Sequence, residues 1–301
     1  MPKLLDLHQN KPEFCESGFL VMIIGIVGLG LIGGSLGLDF RAGGHRVVGV
    51  SRRQRTGEQA IAMGAVDEAS TEFEVLGQAD VIFICTPLGA MAATVAQLVP
   101  TLRPGVVLTD VGSVKGWVME TVAPLWPWFV GGHPMAGKAE SGIEVAQPGL
   151  FVDCAYVLTP TEQTPPEAIA RVEQLARSLR SRIFYCQPEE HDQAVAWISH
   201  LPVLVSASLL AACTQEAEPA VQTLAQSLAS SGFRDTSRVG GGNPELGVMM
   251  ARYNTQALLR SLAAYRATLD TLMQQVEQQD WAGLEAVLQQ TQQIRPRFVA
   301  S

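Results

Sequence analysis

The sequence has little charge, little lysine and no regular cysteine spacing. Charged residues make up 17% of the 301-residue chain and hydrophobic residues 47%, which excludes a disordered chain, a coiled coil and a collagen-like repeat. The five cysteines form no CxxC pair, so we expect reduced thiols in a cytoplasmic protein rather than a disulfide framework. No group of His, Cys, Asp and Glu has the spacing of metal ligands, and no metal site is predicted.

Long apolar runs are also missing. Charges and glycines interrupt every apolar run before it reaches the length of a membrane-spanning helix, about 18 residues. Residues 1–20 lack a basic region followed by an apolar one, so no secretory signal is predicted. Met22 directly precedes an apolar strand-like run. We therefore expect residues 1–21 to be a disordered extension or the product of an upstream start, with Met1 and Met22 as alternative first residues.

The net charge limits the kinds of partner. A formal charge of −8 and an isoelectric point near 5.2 argue against a broad surface for nucleic acid or an anionic membrane. The 17 arginines far outnumber the four lysines. Arginine favours bidentate binding of phosphate and carboxylate, but a GC-rich genome would produce the same bias. Only arginines at specific positions therefore carry information about function.

The first half of the chain alternates strand-like and helix-like segments, which predicts βαβ units and a parallel sheet. The predicted strands are Met22–Val27, Arg46–Val50, Val81–Cys85, Val106–Asp110, Trp128–Gly131, Ala155–Thr159 and Ile183–Cys186. The predicted helices are Leu31–Ala42, Thr56–Met63, Ala90–Leu98, Val114–Leu125 and Pro165–Leu179.

After Cys186 the pattern becomes helical throughout. The predicted helices are Glu189–Ile198, Pro202–Cys213, Pro219–Ser230, Pro244–Gln278 and Trp281–Gln293. The apolar stripe of the longest one is too wide for a single face against a small sheet. An all-helical second domain that forms a homodimer is the simplest interpretation.

A glycine motif follows the first predicted strand and opens the first helix. Gly28-Leu29-Gly30-Leu31-Ile32-Gly33 is a G-x-G-x-x-G, and in this context it predicts a dinucleotide site of the Rossmann type. The glycines allow a tight turn and close approach of a pyrophosphate to the helix N-terminus. The alternative is a turn without a ligand. The predicted organisation is an extension at 1–21, a nucleotide-binding domain at 22–187 and a helical domain at 188–301, with the cofactor contacts of the motif at Gly28, Gly30, Leu31, Ile32 and Gly33.

The end of the second strand indicates which dinucleotide binds. An NAD site usually has an acidic residue there for the ribose 2′-hydroxyl, but this chain reads Val50-Ser51-Arg52-Arg53-Gln54-Arg55. Guanidinium groups and a hydroxyl suit a 2′-phosphate, so we predict NADP bound by Ser51 and Arg52, with Arg53 or Arg55 as less favoured contacts. Solvated surface arginines are the alternative. Thr86 and Pro87, after the third strand, should also line the cofactor.

Two polar residues are candidates for the chemistry. His133 lies between Gly132 and Pro134, just after a predicted strand, which favours a turn at the ligand-binding edge and a role as general base. Ser113 opens a predicted helix and is either its N-cap or a hydroxyl beside the nicotinamide. We interpret His191 and His200 as structural, because nine residues at about 100° each put them on opposite helix faces.

A polar, glycine-rich insert spans 232–244 in the helical region. Arg234 and Arg238 lie four residues apart within it, with hydroxyl residues between them, and would suit a carboxylate substrate. The alternative is a surface pair of Arg234 with Asp235 and a solvated Arg238.

These motifs together resemble the prephenate/arogenate dehydrogenase family of tyrosine biosynthesis. The matching segments are VGLGLIGGS, CTP, TDVGSVK, GGHPMAG, HDQAVAWISHLP and GFRDTSRVGGGNPEL, in family order from about residue 22 to 250. The resemblance implies a nucleotide-binding domain, a helical dimerisation domain and the oxidative decarboxylation of a cyclohexadienol. It also implies that His133 takes the hydroxyl proton, that Ser113 binds near this hydroxyl and the nicotinamide, and that Arg238 binds a substrate carboxylate.

One departure from the family pattern bears on the substrate. Many prephenate-specific members read H-L-P-H where this chain reads His200-Leu201-Pro202-Val203. With the NADP-type strand end, this resembles the branch that converts L-arogenate to L-tyrosine, and Asp153 is a candidate for the arogenate ammonium unless it is a solvated loop residue. The alternatives are prephenate as substrate, a β-hydroxyacid dehydrogenase, which the absence of lysine after Lys138 disfavours, and an NADP-sensing protein without catalysis.

Overall fold

The computed structural model describes residues 21–138 and 140–299, which form an eight-stranded sheet followed by a run of helices. The strand order is β3-β2-β1-β4-β5-β6-β7-β8, and neighbouring strands are parallel except for the antiparallel β6–β7 pair. The strands are Ile23–Val27 (β1), Arg46–Val50 (β2), Glu68–Ser70 (β3), Val81–Ile84 (β4), Val107–Asp110 (β5), Phe129–Pro134 (β6), Ala155–Thr159 (β7) and Arg182–Tyr185 (β8). The predicted α/β class, a Rossmann-type and mostly parallel sheet followed by a helical domain, is confirmed.

Helices flank the sheet and make up nearly all of the C-terminal part. They are Leu31–Ala42 (α1), Gln54–Ala62 (α2), Leu88–Leu98 (α3), Gly116–Thr121 (α4), Pro166–Ser178 (α5), Pro188–Val195 (α6), Leu201–Cys213 (α7), Pro219–Leu228 (α8), Ser231–Ser237 (α9), Pro244–Tyr253 (α10), Thr255–Glu277 (α11) and Trp281–Ile294 (α12). Short 3-10 turns lie at Phe73–Leu76, Val99–Thr101, Ala123–Leu125, Ile143–Val145, Val239–Gly241 and Arg295–Arg297.

The central strands are apolar because both faces of the sheet are covered. α1 and α5 pack on one face through Leu36, Phe40, Val172 and Leu175. α3 and α4 pack on the other through Met91, Val95 and Val118. The carboxyl ends of β1, β2, β4, β5 and β6 consequently meet at one edge, where ligands bind in open α/β sheets. The three-residue strand β3, Glu68–Ser70, was not predicted because its sequence has no apolar run.

The structure joins two predicted helices into one. α6 and α7 are connected by a π-helical turn, Ala196–His200, so the helix runs without a break from Pro188 to Cys213. Pro202 lies inside it, where a proline lacks an N–H and its ring crowds the carbonyl four residues earlier. The wider π turn just before Pro202 relieves that crowding. The prediction of two separate helices was wrong because it used proline as a break.

The same continuous helix is long and apolar enough to cross a membrane by length and composition alone, with a mean hydropathy of 1.7 in its most apolar window. No such segment was predicted from the sequence. The helix nevertheless carries buried His191, Asp192 and His200, whose polar atoms bond to other parts of the protein. These contacts are typical of a helix that packs inside a folded protein.

Two further predictions in the helical region fail. The long helix predicted over 244–278 breaks at Asn254 into α10 and α11. The glycine-rich insert is not an open loop but forms α9 and a 3-10 turn that packs on α7. There the Gly240 N–H donates to the Ser206 hydroxyl over 2.8 Å, and a Cβ on Gly240 would lie 2.4 Å from the Ala207 nitrogen.

Candidate active site

The glycine turn between β1 and α1 fits a dinucleotide. Gly28 has a φ of +103°, and a Cβ there would lie 2.6 Å from the Cys85 carbonyl oxygen at the end of β4. A Cβ on Gly33 would lie 2.0 Å from the Gly28 carbonyl oxygen, so only glycine lets the helix and the turn pack this closely. A Cβ on Gly30 would meet nothing within 4 Å. The turn therefore leaves open space at the N-terminus of α1, where Leu31 and Ile32 begin the helix and unpaired N–H groups attract an anion.

The predicted 2′-phosphate contacts lie beside this turn, at the end of β2. Ser51 is half-buried and its hydroxyl accepts from the Arg53 N–H at 3.4 Å. Arg52, Arg53 and Arg55 are exposed, and their guanidinium groups form no ion pair within the described residues. By contrast, five other arginines pair with carboxylates, namely Arg41, Arg46, Arg103, Arg177 and Arg234. The three guanidinium groups near Ser51 are thus available to an anion.

The end of β4 offers an unpaired polar atom at the same edge. The hydroxyl oxygen of Thr86 is buried and has no hydrogen-bond partner among the described residues. Pro87 follows it and precedes the first turn of α3. Buried polar atoms are almost always paired in folded proteins, and this unpaired hydroxyl is free to bond to a ligand at the edge.

His133 lies on β6 itself and not on the turn that the sequence predicted. The strand continues through Pro134 because the antiparallel β7 pairs with it, with Val157 opposite His133. Only 9% of the residue is exposed. Burial, then the neighbouring His191, Lys115 and His200, hold the pKa of His133 well below its ordinary value. Its imidazole is therefore neutral near pH 7 and able to accept a proton.

His133 is the last member of a chain of hydrogen bonds that the sequence did not reveal. His133 Nδ1 lies 2.8 Å from His191 Nε2, and His191 Nδ1 lies 2.8 Å from the Asp192 carboxylate. A carboxylate only accepts, so His191 carries its proton on Nδ1 and accepts through Nε2. His133 in turn must carry its proton on Nδ1. This network assigns the free lone pair to His133 Nε2, as a general base requires.

Asp192 also joins the helical region to the nucleotide-binding region. Its carboxylate accepts from the backbone N–H groups of Lys115, at 2.7 Å, and Gly116, at 2.8 Å. These two N–H groups lie at the N-terminus of α4. The positive end of the helix stabilises the carboxylate. Since α4 begins at Gly116 and Asp192 caps it, the N-cap interpretation of Ser113 is wrong. Ser113 lies half-buried three residues ahead of the helix.

A fully buried ion pair connects the Ser113 turn with the His133 strand. The Lys115 ammonium bonds to the Asp110 carboxylate and donates to the Gly132 carbonyl over 2.6 Å. The same carboxylate accepts from the N–H groups of Gly112, at 2.7 Å, and Gly132, at 3.0 Å. Burial lowers the pKa of Lys115, although Asp110 favours its charged form. The residues preceding Ser113 and His133 are thereby fixed to one another.

The interpretation of His191 and His200 as structural residues on opposite faces assumed an ideal α-helix between them, which the structure does not have. The π turn between them changes the angular spacing, so nine residues no longer make a half-turn offset. Both rings are buried, and Asn254 donates to His200 Nδ1 and to the carbonyl of Asp192, the residue after His191. Burial lowers the pKa of His200 to about 4.

The two predicted substrate contacts outside this edge are exposed. Arg238 follows α9, and Arg234 lies 3.8 Å from Asp235 in a solvent-exposed pair, as the alternative for that segment expected. Asp153 is exposed with a φ of +59°, and its carbonyl accepts from the Arg182 side chain at 3.1 Å. Within the described residues no hydrogen bond or ion pair joins Arg238 or Asp153 to His133.

The chain matches two family models along most of its length. The one described as "Prephenate dehydrogenase, nucleotide-binding domain" matches residues 36–185, and "Prephenate dehydrogenase, dimerization domain" matches residues 187–290. Among relatives, the prephenate dehydrogenase of Bacillus subtilis is 30% identical over 262 residues, which cover 85% of this chain and 70% of that protein. The cyclohexadienyl dehydrogenase of Zymomonas mobilis is 30% identical over 278 residues, which cover 90% of this chain and 94% of that protein.

Among solved structures, the chain is similar to the crystal structure of Synechocystis arogenate dehydrogenase. The two are 52% identical with a TM-score of 0.83, and the match covers 92% of this chain and 100% of that one. The three relatives are named for different substrates of one reaction type, so similarity fixes the family and leaves the substrate to be argued from the site.

Proposed function

The chain belongs to the prephenate dehydrogenase family, and from that membership we propose that it converts L-arogenate to L-tyrosine by oxidative decarboxylation with NADP+. The observation that carries the chemistry is the Asp192–His191–His133 chain, which leaves His133 Nε2 as a neutral base at the ligand-binding edge. The similarity to an arogenate dehydrogenase at 52% identity supports the choice of substrate.

The chemistry assigned to His133 balances without a net proton. As hydride leaves the ring carbon that bears the hydroxyl, His133 Nε2 takes the hydroxyl proton and a ring carbonyl forms. The bond to the ring carboxylate then breaks, CO2 departs, and the electron pair enters the ring, which becomes aromatic. The resulting phenolate oxygen recovers the proton from His133. His191 and Asp192 stabilise the transient imidazolium through the Nδ1 hydrogen bonds.

NADP+ supplies the hydride acceptor when it is bound. We assign the pyrophosphate to Gly28, Gly30 and Gly33 with the N–H groups of Leu31 and Ile32, since the turn leaves open space at the helix N-terminus. The 2′-phosphate is assigned to Ser51 and Arg52, with Arg53 as the less favoured contact. Thr86 and Pro87 line the remaining edge of the cofactor.

Three residues are assigned to the substrate. Ser113 binds near the ring hydroxyl, because Asp110 and Lys115 tie its turn to the His133 strand. Arg238 binds a substrate carboxylate and Asp153 the ammonium of arogenate. Both side chains are exposed, so neither charge is neutralised by a buried partner.

An assay of arogenate and prephenate, each with NAD+ and NADP+, tests the proposal. We expect the highest kcat/KM for arogenate with NADP+, and a preference for prephenate or for NAD+ would overturn that part of it. Arg52→Ala should raise the KM for NADP+ by at least about tenfold and leave that for NAD+ unchanged, because a charged hydrogen bond is lost. Arg171→Ala is the control, since Arg171 is also exposed but lies on α5, which packs against β5, β6 and β8 and not at the end of β2.

We also infer a cytoplasmic homodimer with two domains, 22–187 and 188–301, and without membrane or nucleic-acid partners. Apolar side chains of α7 and α11 line an open groove, including Leu204, Leu259 and Leu262. Leu259 and Met273 are more than half exposed, at 56% and 53%. An exposed apolar face of this kind is typical of a subunit interface. Analytical ultracentrifugation should give twice the chain mass of 32.3 kDa, and a monomer at micromolar concentration would contradict the inference.

A further inference from the structure

Asn254 is the residue at which the helix predicted over 244–278 breaks into α10 and α11. Its φ of −123° and ψ of 37° depart from helical geometry. Even so, its N–H donates to the Met250 carbonyl and its carbonyl accepts from the Leu258 N–H, both at 3.0 Å. The chain thus changes direction at one residue while the helical hydrogen bonds on either side persist.

The side chain of Asn254 is buried and uses both of its amide hydrogens. Nδ2 donates to the Asp192 carbonyl oxygen over 2.7 Å and to His200 Nδ1 over 3.1 Å. The residue is 5% exposed and His200 is 1% exposed. Because His200 accepts through Nδ1, its ring proton lies on Nε2. Asn254 therefore joins the start of α11 to two points on the continuous helix that carries the histidines.

The contact with Asp192 bears on the geometry of His133. The Asp192 carbonyl belongs to the residue whose carboxylate orients His191 and caps α4, so a hydrogen bond to that carbonyl fixes the backbone from which the carboxylate extends. The adjacent Tyr253 ring lies against Trp117 of α4, with ring centroids 4.5 Å apart. The break between α10 and α11 therefore contacts both Asp192 and α4, the helix that the Asp192 carboxylate caps.

We propose that Asn254 is a positioning residue for the reaction: its two hydrogen bonds, to Asp192 and His200, hold the His191–His133 pair in the arrangement that leaves His133 Nε2 free. The proposal rests on the proposed role of His133 as the base. It connects α11, the helix with the exposed apolar face, to the reacting group through Asp192 and His191.

Kinetics of three variants test this role. Asn254→Ala removes the amide, and Asn254→Asp keeps its shape but, when ionised, can only accept hydrogen bonds. In both we expect kcat with arogenate to fall between about tenfold and a hundredfold, while the dissociation constant of NADP+ stays within about twofold, because only the base is displaced. The control is Thr255→Ala, since the exposed Thr255 hydroxyl bonds only to carbonyls of its own turn, and it should behave as the wild type.

A second measurement needs no substrate. The chain has five histidines, and NMR of protein labelled at the histidine ring nitrogens reports which nitrogen of each ring carries the proton. In the wild type we expect Nδ1–H for His133 and His191 and Nε2–H for His200, and mixed tautomers in the Asn254 variants. Where Asn254→Ala does not fold, Asn254→Asp carries the test.

The two measurements separate the possible failures. Wild-type kcat in a folded Asn254 variant, or unchanged tautomers of His191 and His200, would overturn the positioning role. If the wild type oxidises no cyclohexadienol and yet the tautomers change as expected, the proposed function fails while the effect of Asn254 on the ring geometry stands.

Discussion

At the scale of single residues, the properties of His133 come from its neighbours. Burial alone favours the neutral imidazole but does not determine which ring nitrogen carries the proton. The contact with His191 at 2.8 Å, and that of His191 with Asp192, select Nδ1 for the proton. His191 therefore determines that the unprotonated nitrogen of His133 is Nε2, the one that does not face His191.

Replacing His191 should impair the reaction without affecting cofactor binding. In His191→Leu the acceptor for His133 Nδ1–H is lost, and the ring can rotate or change tautomer. We expect kcat to fall between about tenfold and a hundredfold, measured with arogenate and NADP+ at saturation. His45→Gln provides the control, because His45 is also buried, while its ring bonds to the Met22 N–H and to no other group among the described residues. A wild-type kcat in His191→Leu would contradict the claim that His191 orients His133.

At the scale of elements, much of the nucleotide-binding region could be predicted from local pattern. The strand Arg46–Val50 and the helix Leu31–Ala42 were predicted to the residue, because an apolar run and a glycine motif determine them locally. The π turn at Ala196–His200 was not, since it depends on accommodating Pro202 within a helix that tertiary contacts hold together. An angular argument from ideal helices failed there for the same reason.

Contacts between distant segments account for what the sequence could not indicate at the site. His133 and His191 are 58 residues apart, and Lys115 and Asp192 are 77 apart. Periodicity shows that a helix has a buried face but does not say which element covers it. Lys115 and Asp110 both lie in the segment TDVGSVK, but the sequence does not show that they pair. Their pairing depends on β5 and β6 being neighbours in the sheet.

The Lys115–Asp110 pair should be essential to the junction of β5, β6 and α4. Lys115→Met preserves the volume and leaves the Asp110 carboxylate buried without a counter-ion. We expect a loss of about 3–5 kcal/mol in the free energy of unfolding, measured with urea. The exposed pair of Arg46 and Glu68 is the control, where Arg46→Ala should lose less than about 1 kcal/mol. Adding Asp110→Asn to Lys115→Met should recover part of the stability, and equal losses at both pairs would contradict this interpretation.

At the scale of the whole molecule, a net charge of −8 does not exclude local sites for anions. The exposed arginines after β2 and Arg238 are the sites that we propose, and they leave the surface acidic overall. The two regions of the chain are joined by hydrogen bonds of the Asp192 carboxylate with Lys115 and Gly116, by that of His133 with His191, and by the contact of the Trp117 and Tyr253 rings. The proposed base thus depends on both regions being folded against one another.

Buried neutral histidines should make the protein less stable in mild acid. The pKa of His200 is near 6.5 in the unfolded chain, whereas burial lowers it to about 4 in the folded protein. Between these values the unfolded state binds more protons, so stability falls as the pH is lowered. We expect Tm to decrease from pH 7 to pH 5, and the decrease to be smaller in His200→Gln, whose side-chain oxygen can still accept from Asn254. An equal decrease in both proteins would contradict this assignment.

The most direct test of His133 as the base is the rate of hydride transfer in a single turnover of arogenate with NADP+, compared between the wild type and His133→Asn. We expect NADPH and tyrosine to form together in the wild type. In the variant we expect a rate about a thousandfold lower, with the NADP+ dissociation constant unchanged. An unchanged rate of hydride transfer in His133→Asn would contradict the claim that His133 is the base.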